Sequence, residues 1–442
     1  MLLIGNGTLI TLGPQCRVIE DGAVLIRGDT ISRIGKTAEL LAAEPGARYI
    51  DSEGRIIMPG FTCAHTHTYS ALARGMPLKN ETPSDFMQVL ERLWWHLDNI
   101  LTYEDIYYSA LVTFIGCIKN GTTTVLDHHA GFGAIEGSLE QIARAVTETG
   151  IRASLCYEVS DRNGMEKARA GLEENISFIK KCKSGKSPLL TATIGMHASF
   201  TIGPETMEQC AAAAQELETG VHIHVAESKG DVEDSMIKYK MRPVERLNHY
   251  NLLGPKTLAA HCVHISEDEM KLLALTKTNV AHNPQSNMNN AVGCARVDQM
   301  LRHGIVLGMG TDGMTTDMLE GLKTAHLLHK HCQNNPAAGW YEPPQMQFIN
   351  NPQIMSNFFP VKPGIIAPGA AADLILVEYD PPTPLTAENY YSHMVFGMSG
   401  RSVVTTVIAG NILMMEKKLT GINEKEVKIK ARERADKLWK RF

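Results

Sequence analysis

The sequence has no pair of cysteines in CxxC spacing, although nine cysteines are scattered from Cys16 to Cys332. An odd count with that scatter argues against a disulfide framework and fits reduced thiols in a cytoplasmic protein. No apolar run is long enough to span a bilayer. The opening stretch MLLIGNGTLITLG lacks a basic segment and is broken by Gly5, Asn6 and Gly7, so it reads as a first strand and not as a signal peptide. Positive charge is not in excess: 43 Lys and Arg stand against 48 Asp and Glu, for a net charge of −5. Such a chain offers no positive field to a nucleic acid. Low-complexity segments are absent as well. What remains is 44% hydrophobic and 21% charged residues, the balance of a soluble globular enzyme. A length of 442 residues suits a large domain with an accessory, or two domains.

Residues 1–58 consist of short β-branched runs separated by Gly-Asn, Gly-Asp and Glu-Gly turns. They are too few to bury a core alone. PGAAADLILVEYD and SVVTTVIAGNILMM, near the other end, have the same texture. We therefore expect a small β-sandwich assembled from residues 1–58 and 359–423. The segment between, 59–358, alternates short β-type runs with amphipathic stretches about eight times, which predicts an α/β fold with a closed parallel (β/α)8 TIM-like barrel. Residues 424–442 are basic and place Val427, Ala431, Ala435, Leu438, Trp439 and Phe442 on one stripe, predicting an amphipathic helix docked on the domain.

In such a barrel the chemistry gathers where strands end. The first run ends on His65 and His67, the second on Asp127, His128 and His129, and the fourth on His197. The fifth ends on His224 and Glu227, the sixth on His261, the seventh on His282 and the eighth on Asp312. Alternate residues of a strand share a face, so His65 and His67 point together into the barrel mouth. Two imidazoles on one face, a third on another strand and a carboxylate on a fourth match a catalytic zinc or iron site in ligand type. His197 and His282 are candidates for contacting a substrate. At most one of the adjacent His128 and His129 faces the pocket; His222 reads as a core histidine and His264 as a loop residue. Trp94 and Trp95, in SDFMQVLERLWWHLDNI (84–100), read as helix–core packing.

PGFTCAHTH, GTTT at 121–124, HVAE at 224–227, AHCVH at 260–264, AHNPQSN at 281–287 and MGTDG at 309–313 together resemble the amidohydrolase superfamily. The similar subgroup holds cytosine, guanine and S-adenosylhomocysteine deaminases and the triazine hydrolases. The resemblance covers nearly the whole chain. It implies one divalent metal ion, zinc first and iron second, bound by His65, His67, His224 and Asp312. It implies Glu227 as proton shuttle and His261 as the holder of the attacking water. Binuclear relatives carry a carboxylated lysine at the end of the fourth strand; TATIGMHASF has His197 there and no lysine, which favours a single metal. After AHNPQSN the family often continues with Lys or Arg, whereas this chain reads MNNAVG, so the substrate cannot be carried over.

Chemically, metal-acidified water would attack an sp² carbon bearing an amine, Asp312 and His261 could take its proton, and Glu227 could deliver one to the leaving nitrogen. The expected activity is an aminohydrolase acting on a small heterocyclic amidine such as a purine, pyrimidine, pterin or triazine. The same hydroxide would serve a chlorohydrolase or a cyclic-amide hydrolase. The expected setting is the cytoplasm, with a small-molecule substrate, no nucleic acid or membrane partner, and homo-oligomerisation by analogy with relatives.

Overall fold

Phe61–Thr66 is the first of eight parallel strands. The others are Thr122–Asp127, Arg152–Leu155 continued by Glu158–Val159, and Leu190–Ala192 continued by Ile194–Ala198. Val221–Val225, Leu258–His261, Asn279–His282 and Leu307–Met309 complete the set. Each pairs in parallel with its sequence neighbours. This is the computed structural model of the chain, describing residues 1–79, 81–185 and 187–442. Most of these strands are buried along their whole length, as parallel strands covered on both faces are.

The ring closes between the eighth and the first strand. Backbone N–H groups of Thr311 and Asp312 both donate to the carbonyl of His65 at 3.0 Å. Below them the seam is bridged by a side chain: Asn351 Nδ2 donates to the carbonyls of Thr62 (2.7 Å) and Met309 (3.0 Å), while its Oδ1 accepts from Met309 N–H at 2.9 Å. Gly310 is required at this seam, because a Cβ there would lie 2.7 Å from the His65 carbonyl oxygen. Backbone closure thus places Asp312 directly beside the HxH pair.

The helix Ser138–Thr149 shows how the outer layer forms. Leu139, Ile142, Ala143 and Val146 recur at helical spacing and are buried. Its first turn is capped from a distance, the N–H groups of Gly137 and Leu139 donating to the Glu174 carboxylate at 2.7 and 2.9 Å. It stops at Gly150, whose φ of 74° is left-handed.

Strands from both chain ends form one continuous nine-stranded sheet in which Ile56–Pro59 joins Leu2–Ile10 to Leu374–Val377. The sheet folds over a core of its own that includes Ile4, Leu9, Val24, Ile57, Leu374 and Val404. The run IIMPGFTCAH is therefore divided at Gly60: its first half belongs to this sheet and its second half to the barrel. A fully buried ion pair, Arg152 to Asp373 at 2.9 Å, ties the third barrel strand to the sheet. Among the described residues, no helix is long and apolar enough to cross a membrane.

Candidate metal centre and substrate pocket

His65, His67, His224 and Asp312 meet at the C-terminal rim. Asp312 Oδ1 lies 2.9 Å from His67 Nε2 and 3.5 Å from His65 Nε2. His67 Nε2 and His224 Nε2 face each other at 3.2 Å. Asp312 has φ of 53° and His261 φ of 72°, left-handed values unusual for non-glycine residues, and they mark local strain at this rim.

What lies behind the ring nitrogens fixes their tautomers. His67 Nδ1–H donates to the carbonyl of His128 at 2.6 Å, and His224 Nδ1–H to the carbonyl of His197 at 2.9 Å. His65 Nδ1–H donates to His222 Nε2 at 2.8 Å, and His222 Nδ1 faces the Cys156 sulfur at 3.8 Å. Each of the three rings thereby turns its Nε2 toward the same space. One proton on His67 Nε2 would satisfy Asp312 and His224. It would still leave the buried His65 Nε2 and His261 Nε2 without a partner. Three imidazole lone pairs and a carboxylate converging on buried, unpartnered nitrogens fit a divalent cation of the zinc type. The described residues also bring His128 and Glu158 near His224, but the only free nitrogen of His224 already faces the first cluster.

Electrostatics agree with this assignment. Burial holds the His65 imidazole down at about 3 and lowers His224 well below the ordinary value, so both are neutral ligands in waiting. Burial would lower His67 too, but the adjacent Asp312 carboxylate outweighs it and lifts the imidazole to about 9. Burial would raise Asp312, yet His67 and His65 hold it well below the usual carboxylate range. Without metal, His67 and Asp312 are therefore an ion pair from the low carboxylate range up to about pH 9. Metal binding at pH 7.5 is expected to release about one proton per chain from His67, fading above pH 9. Calorimetric titration of the metal-free protein in buffers of different ionisation enthalpy measures this directly; absence of release would contradict the His67–Asp312 ion pair in the metal-free site.

Glu227 and His261 stand beside the cluster. His261 Nδ1–H donates to Asn287 Oδ1 at 2.8 Å, leaving its Nε2 3.7 Å from Glu227 Oε2 and 3.9 Å from Asp312 Oδ2. Asn290 Nδ2 donates to Glu227 Oε1 at 3.2 Å. Burial raises the Glu227 carboxyl above its ordinary value, with His261 opposing.

The cluster opens into a pocket with about 730 Å³ of free space including its mouth. His197 lines it, with Nδ1 held by Thr201 Oγ1 at 2.6 Å. His282 does not reach it. That ring is fully buried and faces His329 Nε2 at 3.1 Å, on the helix Met318–Gln333 that follows the eighth strand. Trp94 and Trp95 line the pocket with Tyr69 and Phe86, whereas the sequence suggested core packing. A π-helical stretch, Leu90–Trp94, interrupts the regular phase there and brings successive indoles to one wall.

Two acids escaped the sequence reading. Glu158 ends the third strand, and Asp98 lies on the short helix Trp95–Ile100 between the first and second strands; both line the pocket and share Arg162, at 2.7 and 2.5 Å. The signal for Glu158 is its place near the end of the third run, IRASLCYEV, where the other strands carry their rim residues. Nothing local in the sequence links Asp98 to Arg162.

Residues 56–413 match the amidohydrolase family. The chain belongs to that family. This amidohydrolase is 32% identical, over 99% of its length and 98% of the relative's, to the 5-methylthioadenosine/S-adenosylhomocysteine deaminase of Pelotomaculum thermopropionicum. It is 33% identical to the 5'-deoxyadenosine deaminase of Methanobrevibacter smithii, covering 94% of each chain. Among solved structures, a zinc-bound adenosine deaminase of Xanthomonas campestris superposes with a TM-score of 0.87 at 23% identity, over 99% of this chain and 98% of that one. The zinc complex of atrazine chlorohydrolase from Arthrobacter aurescens gives 0.83 at 22%, over 99% and 100%. These two likenesses establish the shared barrel fold.

Proposed function

We propose that this amidohydrolase is a metal-dependent aminohydrolase that releases ammonia from a heterocyclic amidine, with 5'-substituted adenosines the first substrates to test. The observation that carries the reading is Glu227 standing with His261 at the edge of the His65–His67–His224–Asp312 cluster. The names of the similar full-length relatives support the purine nucleoside. The aromatic wall of Tyr69, Phe86, Trp94 and Trp95 suits a flat ring.

A single divalent ion, zinc or else iron, would be held by His65, His67, His224 and Asp312. When bound, it supplies water acidified toward neutrality as the nucleophile. The remaining work belongs to this chain. His261 Nε2 accepts a hydrogen bond from that water and orients it. Glu227 Oε2 receives the proton and passes it to the departing amino nitrogen, so that C–NH2 and water become C=O and ammonia. Burial raises the Glu227 carboxyl, which makes it a better proton acceptor than an ordinary carboxylate. His197 and the aromatic wall bind and orient the ring. The reading places the enzyme in the cytoplasm, where its nine free thiols stay reduced.

The test is product analysis with metal-replete enzyme on 5'-substituted adenosines, other aminopurines, aminopyrimidines, pterins, and amino- and chlorotriazines. Ammonia from an amino-heterocycle is the expected result. Chloride, or a ring-opened product without ammonia, would overturn the leaving group while keeping the metal centre.

A further inference from the structure

We infer that the end of the C-terminal helix, Glu424–Arg441 with Phe442, positions the aromatic wall of the substrate pocket from outside. Two segments build that wall. The turn Thr68–Ala73 supplies Tyr69 and Ser70, and Phe86–Ile100 supplies Phe86, Leu90, Trp94, Trp95 and Asp98. Few residues of the second segment are buried: Leu90, Leu97 and Asp98. From inside it is held by Asp98 on Arg162 at 2.5 Å.

From outside, both segments are held by the last turn of the terminal helix. Trp439 Nε1–H donates to the carbonyl of Leu72 at 2.8 Å, fixing the end of the turn that follows His67. Arg441 Nη2 donates to the carbonyl of Ile100 at 3.4 Å and pairs with the fully buried Asp105. The Phe442 ring meets the His96 ring edge-on, centroids 4.7 Å apart. His96 is the residue next to Trp95. Backbone carbonyls at segment ends are the groups most in need of partners, so these contacts fix the chain and not merely its side chains. The first turns of the same helix hold elsewhere: Glu424 pairs with Lys119 at 2.7 Å, far in sequence from either wall segment.

Trp439, Arg441 and Phe442 are thus positioning residues. They touch no reacting atom, and they act by holding Trp94 and Trp95 where a flat substrate stacks. Loosening them should weaken substrate capture and leave the metal and proton machinery in place.

The test is the double variant Trp439→Phe/Phe442→Ala in the full chain, with Val427→Ala, in the first turns of the helix, as the control for general destabilisation. Hydrogen exchange, which needs no substrate, should quicken in 68–73 and 86–100 of the double variant and stay unchanged in the barrel strands. The kinetic half rests on the aminohydrolase reading. With a turned-over substrate, KM should rise about tenfold while kcat and metal content hold near wild type, since only preorganisation is lost. Val427→Ala should leave KM and both wall segments unmoved. Exchange in both segments equal to wild type would overturn the inference whatever the substrate proves to be. A kcat and metal content that fall as KM rises would overturn it too, as that is general unfolding and not positioning.

Discussion

Glu227→Gln is expected to keep its metal and lose turnover by about 10³-fold or more, the upper part of the range for removing a general acid/base. Glutamine preserves the shape and can still hydrogen-bond to Asn290, but it cannot carry a proton between water and leaving nitrogen. Glu227 is not one of the converging ligands, so metal content measured by atomic absorption should equal that of the wild type. The pH profile supplies an independent check. Burial raises the Glu227 carboxyl, so in the wild type kcat/KM should fall on the acid side through a pKa above the ordinary carboxylate value. The direction follows from the role: water can be deprotonated only while Glu227 is a carboxylate. The residual activity of the variant should lack that acid limb. Wild-type rates in Glu227→Gln would move the shuttle to another group, with His261 the first to examine.

Asp312→Ala and His65→Ala are expected to lose the metal itself. Structural four-ligand zinc sites bind with about 10–16 kcal/mol, so an even share for one ligand of four is about 2.5–4 kcal/mol, or roughly 10²- to 10³-fold in affinity. With zinc returned to the stripped proteins in competition with a chelator, both variants should hold less metal than the wild type. His222→Phe provides a graded comparison. It leaves all four ligands but removes the acceptor that fixes the His65 tautomer, so affinity should weaken by about 10- to 100-fold. Full occupancy in Asp312→Ala and His65→Ala together would disprove the ligand set.

The residues proposed as metal ligands, which meet at the rim, were legible because the barrel writes them in a local code. His65 and His67 share a face by the period of two, and each further ligand sits at the end of its own β-branched run. The fold class was legible for the same reason: eight short buried runs alternate with amphipathic segments. What stayed hidden depends on contacts between distant residues. His222 reads as a core histidine, and it is one, but its hydrogen-bond partner is the ligand His65, 157 residues away. The amide of Asn351 closes the barrel seam from 289 residues beyond Thr62. Asp98 and Arg162 meet across 64 residues. Trp94 packs against the core as read, but that Trp94 and Trp95 also line the pocket was hidden, because the helix widens at Leu90–Trp94. His282 ends its strand like the other rim histidines, yet its neighbour His329, on a helix whose approach no strand pattern reveals, takes its Nε2.

The most direct test of the account is ammonia release measured as zinc is returned stepwise to chelator-stripped enzyme, with Glu227→Gln as the blank. A metal-dependent aminohydrolase with a single ion predicts no release from stripped protein. Release should rise in proportion to added zinc, level off at one ion per chain, and be essentially absent from the blank. Ammonia release that survives stripping, or that is matched by the blank, would contradict it.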